Sequence, residues 1–134
     1  MAMKYSEFIR LEKYTLKHKG AFLRVEYDLL GHNTWRGFFH DTDKLLWLYP
    51  LALITGRDKK WVQTKHRKNN RHHAECDKER KRCDYIEMII DWECARFTKA
   101  DKQLDAYDTM KKFYPQLQDA ILPLLLEFKL DHEK

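Results

Sequence analysis

Residues 85–92, Tyr-Ile-Glu-Met-Ile-Ile-Asp-Trp, constrain the fold more than any other stretch. A helix over this span is apolar nearly all round, so it must be a central helix covered by others on every side. Asp91 then stands within the most apolar helix of the chain. A buried carboxylate is costly without a partner, so the surrounding elements have to supply donors or cations.

That helix is expected over residues 78–98, with Asp77 as its cap and Arg80 at the third position. Residues 4–30 predict another helix. Leu11, Tyr14, His18, Phe22, Val25 and Leu29 recur at spacings of three and four, the stripe of one helical face. Gly20 weakens this helix without ending it, and Gly31 is placed to stop it. Thr34 can cap a second helix over residues 35–54, which Pro50 interrupts or kinks near its end. Residues 55–58 form a turn, and a third helix covers residues 59–68. Asn69-Asn70 breaks it. Two more helices, residues 102–113 and 116–131, are separated by Pro115, and Pro123 bends the second. The expectation is one all-α domain over residues 1–134, a compact bundle of five or six helices.

Composition supports this reading. Four Gly and three Pro in 134 residues suit helices with short loops better than an all-β fold. Cys76, Cys83 and Cys94 are odd in number and lack Cys-x-x-Cys spacing, which fits reduced thiols in a cytoplasmic protein. The longest apolar stretch, residues 45–54, is about half a membrane span, so no membrane partner is expected. Between Arg57 and Arg82, eleven Lys/Arg stand against four Asp/Glu, a local net of +7 in a chain of net +5. Such a segment attracts phosphates of a nucleotide or a nucleic acid, or is simply a solvated face.

His18 lies on the apolar stripe of the first helix. His40-Asp41 heads the run Leu45-Leu46-Trp47-Leu48. His66 and His72-His73 follow, and Asp91 comes last. Each has a plain reading alone: a core histidine, an exposed imidazole, a paired carboxylate. Together they suit first-row divalent metals, with Fe, Mn, Co and Zn all served by these ligands. Five His and two Asp exceed the needs of one metal with open positions. Two metals sharing Asp41 fit the supply better. On an unbroken helix His40 and Asp41 would diverge by about 100° and face different metals. His66 and His73, seven apart, would share a helical face; a break at Asn69-Asn70 lets His72 compete.

The order His, His-Asp, then a late Asp resembles the HD-domain superfamily of metal-dependent phosphohydrolases. His40-Asp41-Thr42-Asp43-Lys44 is similar to the family's His-Asp-x-x-Lys form, and His66 with His72-His73 resembles the extra histidines of its binuclear subgroup. The layout is also similar to small phage and bacterial proteins with the same His-Asp and Asn-x-His-His elements. The resemblance covers about residues 14–95. Ala74-Glu75 follows His72-His73, where the cyclic-dinucleotide branch has Glu directly, and no Gly-Tyr-Pro element follows; that substrate is disfavoured.

The resemblance implies hydrolysis of a nucleotide or related phosphate ester by a metal-activated bridging hydroxide. It places His18, His40, Asp41 and Asp91 on one metal, and His66 with one or both of His72 and His73 on a second that Asp41 shares. Lys44 would orient the water or neutralise phosphate, and Asp43 could accept a proton. Arg36, Lys68, Asn69 and Arg71 would hold phosphate oxygens. Three alternatives remain open: a di-iron oxygenase of the same HD type, a non-enzymatic nucleic-acid-binding module using residues 57–82, and a structural metal only.

Overall fold

The computed structural model describes residues 2–98 and 104–131. These form seven α-helices with no strand among the described residues: α1 (Tyr5–Leu30), α2 (Trp35–Phe38), α3 (Tyr49–Thr55), α4 (Lys59–Asn69), α5 (Arg82–Thr98), α6 (Ala106–Phe113) and α7 (Gln118–Glu127). A π-helical turn (Lys44–Leu48) precedes α3, and a 3-10 turn (Pro115–Leu117) precedes α7. The all-α expectation holds.

Helix α5 is the centre, as its apolar circumference requires. Met88 and Ile89 pack with Ala106 and Met110 of α6 and with Ile121, Leu124 and Leu125 of α7. Ile90 and Cys94 face Phe22 and Val25 of α1. Full burial of such side chains is worth roughly 1.5–3 kcal/mol each, enough to fix which helices surround α5. A second apolar cluster joins Met3 and Leu11 to Leu48, Tyr49, Ala52 and Val62, seating α3 and α4 against the N-terminal half of α1.

Helix α1 runs unbroken through Gly20 and ends at Gly31, whose φ of 79° gives the left-handed cap. Its buried face includes Glu26 beside Val25. Glu26 accepts hydrogen bonds from Asn33 Nδ2 at 3.1 Å, the Thr34 amide at 3.0 Å and Thr34 Oγ1 at 2.7 Å. Thr34 in turn caps α2. Gly37 lies against the same carboxylate, and a Cβ there would stand 2.3 Å from Glu26 Oε1.

The second expected helix, residues 35–54, is not continuous. It is divided into α2, a turn over residues 39–41, and a helix that resumes at Thr42 and passes through the π-turn into α3. Asp41 has φ 59°, a left-handed conformation that an α-helix does not contain. Lys19 of α1 helps to hold the break. Its ammonium donates to the carbonyls of Phe38 and His40 and to Thr42 Oγ1. Pro50, which has no amide to donate, falls in the first turn of α3, just after the π-turn.

Helix α5 begins at Arg82, not at residue 78, and Asp77 does not cap it. The Lys81 amide is bound instead by Asp84 Oδ2 at 2.8 Å. Arg80 is withdrawn from the helix to hold the preceding loop. It donates to the carbonyls of Arg71 at 2.9 Å and of His73 and Cys76 at 2.7 Å. Helix α6 starts at Ala106, capped by Asp105; residues 102–103 of the longer expected helix lie outside the described residues. Helix α7 stops at Glu127, short of residue 131, where Lys129 turns left-handed. The three cysteines are free thiols, and no described helix is long and apolar enough to cross a membrane.

Candidate metal centre

Four elements converge beside the polar edge of α5. Helix α1 brings His18, the broken turn brings His40 and Asp41, and the last full turn of α4 brings His66. The loop after α4 brings His72 and His73, and α5 itself brings Asp91. All seven residues singled out as ligands therefore meet in one region. The break at Asn69-Asn70 lets both His72 and His73 turn inward.

Besides His40, His72 and Glu87, two groups of donor atoms form, each with every atom within 4.8 Å of the others: His18, His40 and Asp91; and Asp41, His66, His72 and His73. Asp41 stands between them. Its Oδ2 is 3.8 Å from His18 Nε2 and 3.6 Å from His40 Nε2, and its Oδ1 is 2.9 Å from His66 Nε2. In the first group, Asp91 Oδ1 lies 2.6 Å from His18 Nε2 and 3.2 Å from His40 Nε2. In the second, the atoms Asp41 Oδ1 and the Nε2 of His66, His72 and His73 are all buried without a hydrogen bond. Four convergent orphaned polar atoms are rare in a folded interior and are what a cation would satisfy. Imidazole nitrogens and carboxylate oxygens are the donor set of first-row divalent metals, so the residues present fit such ions.

The opposite nitrogens of His40, His66 and His72 are held by carboxylates. Glu87 Oε2 takes His40 Nδ1 at 3.0 Å and His72 Nδ1 at 2.8 Å. Asp43 Oδ2 takes His66 Nδ1 at 2.7 Å, and Asn70 Nδ2 donates to the same oxygen at 3.2 Å. A carboxylate on Nδ1 fixes the ring so that the Nε2 lone pair faces the centre. Phe22 stacks on His40 with ring centroids 3.9 Å apart, which restricts the ring further.

Without metal, charge is balanced by protons. Burial disfavours a charged His40, but Asp41 and the bonds to Asp91 and Glu87 outweigh it and push its pKa up to about 10. Burial opposes ionisation of Asp41 and Asp91, yet neighbouring histidines, with Lys44 beside Asp41, hold both well below the usual carboxylate range. Burial and then the charge of His72 keep His73 well below its ordinary value, hence neutral. Burial works against the Lys44 charge, but Asp41, whose Oδ2 is 3.8 Å from its Nζ, raises its pKa.

A cleft of about 710 Å³ opens onto the centre through His18, Asp41, His73 and Asp91. Lys44 lines it, together with three further cations: Arg10 on α1 and Lys59 and Arg67 on α4. Trp92 and Tyr114 line it too, stacked at 5.2 Å and an interplanar angle of 3°. Among the other residues expected to bind phosphate, Arg36 donates to Asp84 Oδ1 at 2.7 Å and to Glu87 Oε1 at 2.9 Å. It thereby braces the carboxylate that holds His40 and His72. Lys68, Asn69 and Arg71 are exposed and do not line this cleft.

Glu87 escaped the sequence reading although it lies one turn before Asp91. Two carboxylates on one face of the most apolar helix were the available signal. Arg10, Lys59 and Arg67 gave none, because their convergence depends on how α1 meets α4. No protein-family model, no curated protein and no solved structure matches this chain.

Proposed function

We propose that this protein is a metal-dependent phosphohydrolase of the HD type, acting on a nucleotide or related phosphate ester. The observation that carries the reading is the set of orphaned atoms around Asp41, next to the His18–His40–Asp91 group. His18, His40 and Asp91 would hold one divalent metal, His66, His72 and His73 a second, and Asp41 would serve both through its two oxygens. When bound, such a pair supplies Lewis acidity, lowering the pKa of water towards neutrality and offsetting phosphoryl charge.

The chain's own groups supply the rest. Lys44 keeps its proton beside Asp41 and offers an ammonium to a phosphoryl oxygen at the floor of the cleft. Arg67 follows His66 on α4 and offers a planar fork to a second oxygen. Glu87 and Asp43 keep the imidazoles oriented throughout. The Trp92–Tyr114 wall gives a planar face on which a base can stack. A di-iron oxygenase would use the same ligands, but the cationic lining of the cleft favours a phosphate ester over an uncharged substrate.

Protein loaded with Mn²⁺ or Co²⁺ is expected to release phosphate from p-nitrophenyl phosphate or from nucleotides without consuming oxygen. Chelation, His40→Ala and Asp41→Asn should each abolish release. Release by metal-free protein that survives both substitutions contradicts the proposal. Oxygen consumption by the iron-loaded form in place of hydrolysis would move the chemistry to the oxygenase.

A further inference from the structure

The cations of the cleft stand at two levels. Lys44 and Arg67 adjoin the metal centre, one facing Asp41 and the other following His66. Arg10 and Lys59 stand further out. Arg10 precedes His18 by eight residues of α1, and Lys59 precedes Arg67 by eight residues of α4. Each separation is about 12 Å along a helix rising ~1.5 Å per residue.

The fold brings these outer cations to the same end of the cleft. The Met3 amide donates to the Arg57 carbonyl at 3.1 Å, tying the start of α1 to the segment just before α4. Leu11, directly after Arg10, shares an apolar cluster with Val62 of α4. Apart from Asp41 and Asp91, which belong to the metal centre, no carboxylate among the described residues lines the cleft. Arg10 meets Glu7 at 3.6 Å and Arg67 meets Glu75 at 3.9 Å, exposed and long pairs that an incoming anion can replace.

We propose that the cleft takes a substrate in which the phosphate at the metal centre is joined to at least one more anionic group, held by Arg10 and Lys59. This rests on the phosphohydrolase reading of the centre. One phosphate seated beside Asp41 is too small to reach two helical turns outward, so the outer pair serves only a longer anion. A cleft of about 710 Å³ matches a compact molecule and is in the range of small-ligand sites, about 300–1,000 Å³. The bound species is therefore a small polyanion such as a phosphate chain, and not a nucleic-acid strand.

The test is calorimetric binding to full-length, Mn²⁺-loaded protein, using inorganic tripolyphosphate, orthophosphate and a single-stranded oligonucleotide as probes. Tripolyphosphate should bind about tenfold tighter than orthophosphate or better, and the preference should shrink with added salt. The double variant Arg10→Gln/Lys59→Gln, both positions being exposed, should lose most of that preference while keeping its circular dichroism and metal content. Equal binding of the two phosphates, a preference unchanged in the double variant, or tighter binding of the oligonucleotide overturns the proposal. Protein that prefers tripolyphosphate through Arg10 and Lys59 yet hydrolyses no phosphate ester sustains the anion site and removes the hydrolase reading instead.

Discussion

Asp41 Oδ1 and His66 Nε2 lie 2.9 Å apart, yet neither atom makes a hydrogen bond. The separation would admit a bond; the alignment does not. Ligand atoms of Asp41, His66, His72 and His73 all lie within 4.8 Å of one another. Two ligands of one cation have this relationship.

Asp41→Asn tests the bridge with little disturbance of the backbone. Asn tolerates the left-handed conformation that Asp41 adopts at φ 59°, whereas most residues pay roughly 1–2 kcal/mol there. Metal affinity at both positions should fall by about 100-fold or more, with helicity unchanged. Titration calorimetry alongside circular dichroism measures both quantities.

Glu87 holds ligands of both groups, and Asp43 holds a ligand of one. Glu87→Gln should therefore weaken both metal positions by about 10–100-fold, while Asp43→Asn weakens only the position that includes His66. Cobalt titration followed by visible absorption separates the two losses. Equal effects of the two substitutions would remove this division of roles.

The metal-free protein should be most stable near pH 6.5. His40 is raised from 6.5 to about 10, so its stabilising contribution is complete below 6.5 and is lost as pH rises through 10. His73 is depressed below 6.5, so below that pH the unfolded chain takes up a proton that the fold refuses, and stability falls. At still lower pH the contributions of Asp41, Asp91 and Glu87, all depressed, are lost as well. Each group contributes a slope of at most about 1.4 kcal/mol per pH unit. Thermal melts of chelated protein across pH should peak and fall on both sides. With metal replacing the His40 proton, the part of the alkaline decline that His40 causes should disappear.

Gly37→Ala should destabilise the fold by about 1–3 kcal/mol, because a Cβ would meet the Glu26 carboxylate at 2.3 Å. That carboxylate holds Thr34 and the start of α2, so the substitution should also displace His40 and weaken metal uptake. Urea denaturation gives the first effect and metal titration the second.

The sequence was most informative where burial and chemistry conflict. Asp91 in an apolar helix and His18 on an apolar stripe were visible because such residues are costly without partners. The all-α class followed from periodicity and from the few Gly and Pro. The break at Asp41 was not legible: Lys19 holds it from another helix, and nothing local to residues 38–43 announces that. Arg80 was read as part of a helix start, but three loop carbonyls claim its guanidinium. The outer cations Arg10 and Lys59 are far apart in sequence and line one cleft only through the packing of α1 with α3 and α4.

The most direct test of the metal centre is elemental analysis of the protein purified without added metal, repeated after saturation with Mn²⁺ and desalting. Up to two divalent ions per chain are expected, retained through the desalting and lost together in Asp41→Asn. Wild-type protein that binds no metal under either condition, while folded by circular dichroism, would contradict this.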